Sequence, residues 1–222
     1  MEGGTAMKVN LSRIQYISDG LTFSEQERNI SNALDSGINW IQLRWKHGSK
    51  KELYQLAEST RKCLESYDAT FIINDHLQLA KDVDADGIHL GLDDESIQTA
   101  RTMLGNEKIV GGTANTFQDV LQRIQEGCDY IGLGPLRFTS TKQKLSPVLG
   151  SSGYSEIINR LNVENIPYPP IYAIGGIIEQ DLQELLLAGV YGVAVSSLIQ
   201  NDPSAASRMN QFYIQDYVEN SR

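Results

Sequence analysis

Short apolar runs without polar breaks alternate along this chain with longer stretches in which apolar residues recur at helical spacing. The runs suit strands buried on both faces, as in parallel sheets covered by helices. Strands are predicted over Arg13–Ser18, Ile38–Arg44, Ala69–Asp75, Gly87–Leu90, Lys108–Thr113, Asp129–Pro135, Pro170–Gly176 and Gly192–Ser197. Helices are predicted between them over Ser24–Ser36, Lys51–Tyr67, His76–Val83, Asp94–Leu104, Thr116–Gly127, Gly153–Leu161 and Glu179–Ala188, with a closing helix over Asp202–Tyr217. A long polar loop runs from Leu136 to Ser151. Strand and helix alternate eight times with connections too long for hairpins, which predicts right-handed βαβ units and a closed (βα)8 TIM barrel of the α/β class. A doubly wound open sheet is the other arrangement, but no Gly-x-Gly-x-x-Gly follows the first strand as a dinucleotide site would require.

Length is compatible with this, since 222 residues lie near the lower end for one such barrel. A single barrel domain is expected over 9–222, and 1–8 is expected to be a disordered or expression-derived extension. The opening Met-Glu-Gly-Gly-Thr-Ala-Met has neither a basic start nor an apolar core, so a signal peptide is not expected. No apolar run approaches the roughly 20 residues that span a bilayer. A net charge of −9 without a Lys/Arg cluster argues against nucleic acid or an anionic membrane as partner. Any anionic substrate must then meet locally placed cations. Cys63 and Cys128 lack metal-ligand spacing and read as free thiols in a reducing cytoplasm.

In such a barrel, catalysis sits on the loops after the strands, so what ends each strand is informative. Gln42, Arg44 and Lys46 lie two apart, so a pleated strand and its extension aim them to one side while Ile41, Leu43 and Trp45 point to the other. One amide and two cations at the mouth suit a polyanion. The third strand ends on Asn74-Asp75, which serve either as a site or as a turn and cap for the next helix. Leu92-Asp93-Asp94-Glu95 follows the fourth strand. Carboxylates from these neighbouring loops can share Mg²⁺, although the acidic run also reads as a favourable first helical turn. Thr139, Thr141 and Lys142 on the loop after the sixth strand suit phosphate oxygens. Gly175-Gly176 and Ser196-Ser197 end the last two strands, where barrels commonly place a phosphate. His47, His76 and His89 show no metal spacing, and His89 reads as a core residue.

Two anion sites and a shared metal at one mouth imply joining, or splitting, a diphosphate and a monophosphate. Gln42-x-Arg44-x-Lys46, Asn74-Asp75, Gly87-Ile-His-Leu-Gly91 with Asp94, Asp129-Tyr-Ile-Gly-x-Gly-Pro135, Thr139-x-Thr141-Lys142 and Ala173-Ile-Gly-Gly-Ile177 together resemble the thiamine phosphate synthase family, in order from about Tyr16 to Ile199. That resemblance implies a cytoplasmic transferase, monomeric or a small homo-oligomer, joining 4-amino-2-methyl-5-(diphosphooxymethyl)pyrimidine to a thiazole monophosphate. It implies Mg²⁺ on Asp75 and Asp94, and Gln42, Arg44, Lys46, Asn74 and Lys142 on the diphosphate and pyrimidine, with Arg44 and Lys142 serving catalysis and Thr113 near the reacting centre. It places Thr139, Thr141, Gly175, Gly176, Ser196 and Ser197 at the thiazole phosphate. The chain departs from the family's usual pattern at Leu92, where Gln is frequent, at Thr113 for Ser, and at Arg137-Phe138 for Phe-Pro. Two rival readings on the same scaffold are a thiazole tautomerase-like isomerase and a noncatalytic phosphate-ligand sensor. Retention of Arg44, Lys46, Asp75, Asp94 and Lys142 argues against the first, and retention of the carboxylates expected to hold metal argues against the second.

Overall fold

A computed structural model describes residues 11–138 and 147–220. Its strands are β1 (Ile14–Ile17), β2 (Trp40–Leu43), β3 (Thr70–Asn74), β4 (Gly87–Leu90), β5 (Ile109–Ala114), β6 (Tyr130–Leu133), β7 (Ile171–Ile174) and β8 (Gly192–Val195). Every neighbouring pair is parallel and β8 returns to β1, with Ile14 opposite Val193, so the sheet closes into a (βα)8 barrel. The helices are α1 (Phe23–Asp35), α2 (Lys50–Leu64), α3 (Leu77–Asp82), α4 (Ile97–Leu104), α5 (Phe117–Glu126), α6 (Gly150–Val163), α7 (Leu182–Leu187), α8 (Ser197–Asn201) and α9 (Ala205–Asn220). Thr22, Ser49 and Thr116 start α1, α2 and α5 with reciprocal capping boxes to Glu25, Glu52 and Asp119. No helix among the described residues is long and apolar enough to cross a membrane.

Three boundaries differ from expectation for local reasons. The strands are shorter, so Arg44 and Asp75 lie beyond their ladders. The expected closing helix begins later, at Ala205, and a short helix α8 that was not expected precedes it, ending at Asn201 because Asp202 leaves the helical conformation and Pro203 has no N–H to continue it. The helix expected from Asp94 begins only at Ile97, where the Ser96 hydroxyl accepts from the Thr99 N–H. The acidic run therefore precedes the helix and is not its first turn.

Alternation along each strand sorts the core into two parts. Ile41, Leu43, Phe71, Ile73, Ile88 and Ile131 face outward into the apolar layer under the helices. Inside the barrel, Trp40, Ile72, Ile109, Tyr130 and Tyr172 form a separate cluster. Its rings meet edge to face, Trp40 with Tyr130 and Tyr172 at 5.0 Å each, and Tyr130 with Tyr172 at 5.7 Å. Gly111, opposite Tyr130 in the ladder, makes room for this layer, since a Cβ there would lie 2.1 Å from Tyr130 Cζ. Gly111→Ala is therefore expected to cost about 1–3 kcal/mol through overpacking. Denaturant unfolding checks this, and an unchanged midpoint would mean the ring moves aside freely.

Candidate active site at the barrel mouth

β2 aims its side chains as its alternation dictates. Ile41, Leu43 and Trp45 are buried in the outer layer, where Trp45 meets Phe23 edge to face. Gln42 turns inward and is buried. Arg44 follows just past the strand, its N–H bonded to the Ser18 hydroxyl at 3.0 Å. Lys46 reaches further out, with Nζ 3.9 Å from Asp75 Oδ2.

Asp75 has φ of 64°, a left-handed backbone that is uncommon for a residue with a side chain. His76 occupies the cap position of α3, and no side chain there makes a capping hydrogen bond. The capping role considered for Asn74-Asp75 is thus absent. Burial, and after it the hydrogen bond and charge of the neighbouring Asp94 carboxyl, together raise the Asp75 carboxyl to about 6 against opposing pulls from Lys46 and Arg44. Asp94 is set in place by the Gly91 N–H, which donates to its Oδ2 at 2.6 Å.

A cavity of about 660 Å³ is bordered by Arg44, Lys46, Asn74, Asp75 and Asp94. A second, of about 530 Å³, is bordered by Arg44, Gly175, Gly176, Ser196 and Ser197, together with Asp19. Gly175 and Gly176 have φ of 87° and 71°, which fits them for a tight turn that brings backbone to the cavity wall. Thr113 and Gln42 border neither cavity; both are buried inside the barrel. Thr139, Thr141 and Lys142 lie outside the described residues.

Two arginines missed by the sequence reading hold this frame. Arg123 on α5 is buried, donating from Nε to the Thr113 carbonyl at 3.0 Å and from NH2 to the Gly91 carbonyl at 2.8 Å. It thereby ties the Thr113 strand end to the turn that orients Asp94. Arg137 forms a bidentate ion pair with Asp181 and donates to the Gly176 carbonyl at 2.9 Å, while its own N–H donates to the Gly175 carbonyl at 3.1 Å. In the sequence, Arg137 stands out only as a departure from the family's usual pattern. A signal for Arg123 exists in its place among the apolar residues of α5 opposite Gly112, where a Cβ would lie 2.7 Å from Arg123 Cδ.

No three His, Cys, Asp or Glu side chains gather as a metal site among the described residues. The Asp75 and Asp94 pair offers hard oxygen donors that destabilise one another without a cation. Such a pair fits Mg²⁺, which keeps several waters and accepts ligand phosphate oxygens alongside one or two carboxylates.

Between the ordinary aspartate value and about 6, the folded chain holds a proton on Asp75 that the unfolded chain releases. Without a divalent cation, this stabilising contribution is full below the ordinary value and is lost as pH rises through about 6. Asp94→Asn is expected to lower the Asp75 midpoint below about 6, read by carboxylate ¹³C NMR titration in chelator. An unchanged midpoint would mean that burial alone sets it.

Residues 15–199 match the family model described as thiamine monophosphate synthase. The thiamine-phosphate synthase of Flavobacterium johnsoniae is 53% identical over 188 residues, 85% of this chain and 88% of that protein. That of Bacteroides thetaiotaomicron is 42% identical over 202 residues, 90% of this chain and 95% of that protein. Among solved structures, thiamine phosphate pyrophosphorylase from Pyrococcus furiosus matches with a TM-score of 0.73 at 28% identity, over 89% of this chain and 91% of that one. 3-Hexulose-6-phosphate synthase from Salmonella typhimurium, at 18% identity and a TM-score of 0.67 over 92% of this chain and 99% of that one, shares the fold alone. The span matched by the family model takes in all eight strands but Ile14, and both cavities at the mouth. This chain is an enzyme and belongs to the thiamine monophosphate synthase family.

Proposed function

We propose that this enzyme joins 4-amino-2-methyl-5-(diphosphooxymethyl)pyrimidine to a thiazole monophosphate, giving thiamine phosphate and pyrophosphate. The observation that carries this is Arg44, which borders both cavities. A cation between a pocket of carboxylates and lysine and a pocket of glycines and serines suits a departing diphosphate beside an arriving monophosphate. Burial pulls the Arg44 guanidinium below its usual value, but Asp75 and Asp19 pull the other way, and arginine keeps its charge.

In this reading, the exocyclic carbon–oxygen bond of the pyrimidine breaks and its electron pair leaves with pyrophosphate. The electron-rich aminopyrimidine ring supports the positive charge left on the methylene. The thiazole nitrogen lone pair then forms the new carbon–nitrogen bond. Charge neutralisation at the leaving group is the main requirement. Arg44 and Lys46 supply it directly, with Lys142 as a further cation by resemblance. Asp75 and Asp94 would hold Mg²⁺, which when bound stabilises the leaving diphosphate electrostatically. Asn74, Gln42 and Thr113 are assigned to the pyrimidine side. Gly175, Gly176, Ser196 and Ser197 are assigned to the thiazole phosphate, joined by Thr139 and Thr141. No covalent enzyme intermediate is needed. Cys128 is buried, which pushes its thiol up to about 12, and neither it nor Cys63 borders either cavity at the mouth. Both are free thiols, consistent with the cytoplasm as the place of work.

Purified protein supplied with both substrates is expected to form thiamine phosphate with Mg²⁺ and to stop in chelator. Absence of product under every Mg²⁺ condition would overturn the assignment. Asp75→Asn keeps a side chain tolerant of positive φ, so thermal stability should hold while turnover falls at least about a hundredfold, as expected for a lost metal ligand. Wild-type turnover in that variant would remove Asp75 from the mechanism. Arg137→Ala frees the Gly175-Gly176 turn and is expected to raise KM for the thiazole phosphate about tenfold, roughly the worth of one charge-assisted hydrogen bond, with KM for the pyrimidine unchanged. Steady-state kinetics in each substrate separates the two.

A further inference from the structure

Below the mouth, five polar side chains from five strands form a connected chain where a barrel of this class ordinarily packs bulky aliphatic residues. Gln42 Nε2 donates to Gln15 Oε1 at 3.0 Å, and Gln15 Nε2 donates to the Tyr130 hydroxyl at 3.2 Å. That hydroxyl lies 3.0 Å from His89 Nδ1, and His89 Nε2 lies 2.9 Å from Thr113 Oγ1. All five residues are at most 9% exposed, so each broken link would leave a polar group away from water. The backbone makes space for two of the rings with glycine. Gly111 faces Tyr130, and a Cβ at Gly132 would lie 3.1 Å from His89 Cε1.

The chain has a direction. The Tyr130 oxygen accepts from the Gln15 amide, whose own oxygen is held by the Gln42 amide. A phenol oxygen already facing an amide donor sends its own proton to the other partner within reach, His89 Nδ1. The neutral imidazole then carries its proton on Nε2 and donates to Thr113 Oγ1. The proton of the Thr113 hydroxyl is thereby left for another acceptor. With the opposite tautomer, Thr113 would spend that proton on His89.

We propose that Tyr130, oriented by Gln15 and Gln42, is a positioning residue that locks His89 as the Nε2–H tautomer and so presents Thr113 as a hydrogen-bond donor to the bound pyrimidine substrate. This rests on the assignment of Thr113 to the pyrimidine side of the synthase site. Burial also pushes the Tyr130 phenol well above its usual value, which keeps its proton in place throughout the neutral range. The Tyr130 ring serves a second purpose in the aromatic layer, which Phe would preserve.

The tautomer is read by ¹⁵N NMR of imidazole-labelled wild-type protein, with the His89 signals identified by their loss in His89→Asn. Protonated Nε2 and unprotonated Nδ1 shifts are expected, and the reverse pattern overturns the proposal. Tyr130→Phe is expected to mix the tautomers and to lower kcat about tenfold, the scale of one hydrogen bond, with KM for the thiazole phosphate unchanged. A purely structural role would lower thermal stability alone, leaving tautomer and kcat as in wild type, and would also overturn it. The NMR arm needs no turnover. A wild-type protein that shows the expected tautomer but makes no thiamine phosphate counts against the synthase reading, and an active one with the reverse tautomer counts against Tyr130 alone.

Discussion

Like charges held side by side are the constraint around which the mouth of this barrel is arranged. Asp75 and Asp94 repel, and burial makes the repulsion harder for solvent to relieve. The chain keeps them together by fixing each from its own side. Asp75 is held in a left-handed turn at the end of β3, a conformation that Gly or Asn would occupy at least as readily. Asp94 is fixed by the Gly91 N–H, and the Gly91 carbonyl is in turn held by Arg123 from α5. Lys46 and Arg44 approach from β2 and lower the cost of the charged state without abolishing it. Nothing in core packing asks for this arrangement, and a cation with a diphosphate would resolve it.

The interior is graded to support that mouth. Trp40, Tyr130 and Tyr172 fill the lower barrel with rings, and two residues further along β2 the same face carries Gln42, then Arg44 two residues beyond. Apolar packing thus gives way to neutral hydrogen bonding and then to charge as the strand approaches solvent, so no charge sits deeper than its solvation allows. Tyr130 belongs to both lower layers, with its ring among aromatics and its hydroxyl among amides and imidazole.

Strand order and barrel closure were legible because a parallel strand covered by helices has to be apolar on both faces, and that pattern survives in one sequence. The aim of Gln42 against Leu43 followed from the two-residue period of the same strand. Asn74-Asp75 was legible as an anomaly, two polar groups where packing had ended, though whether they capped a helix required the observed cap at His76. The acidic run at Asp93–Glu95 was ambiguous for the same reason, until Ser96 was found to start α4. Gln15 and Tyr130 were illegible because each acts on residues from other strands, and Arg123 showed only as a charge among the apolar residues of α5. Which inward positions meet depends on the register of several ladders at once, and one sequence does not encode that visibly. His89 was read as a satisfied core residue; both its nitrogens are engaged, yet one partner is Thr113.

The departures from the family's usual pattern are therefore unequal in consequence. Thr113 keeps the hydroxyl that the buried chain of hydrogen bonds terminates on, so the exchange from Ser adds a methyl and leaves the donor available. Leu92 is partly exposed beside Asp94 and does not enter the hydrogen bonds that fix it. Arg137 changes how its loop is held. Its guanidinium spans from Asp181 to the Gly176 carbonyl, so an ion pair and a backbone bond act on the turn where a Phe-Pro pair would offer neither. The Gly175-Gly176 turn is consequently fixed by electrostatics, and its order should weaken with ionic strength as partly exposed ion pairs do.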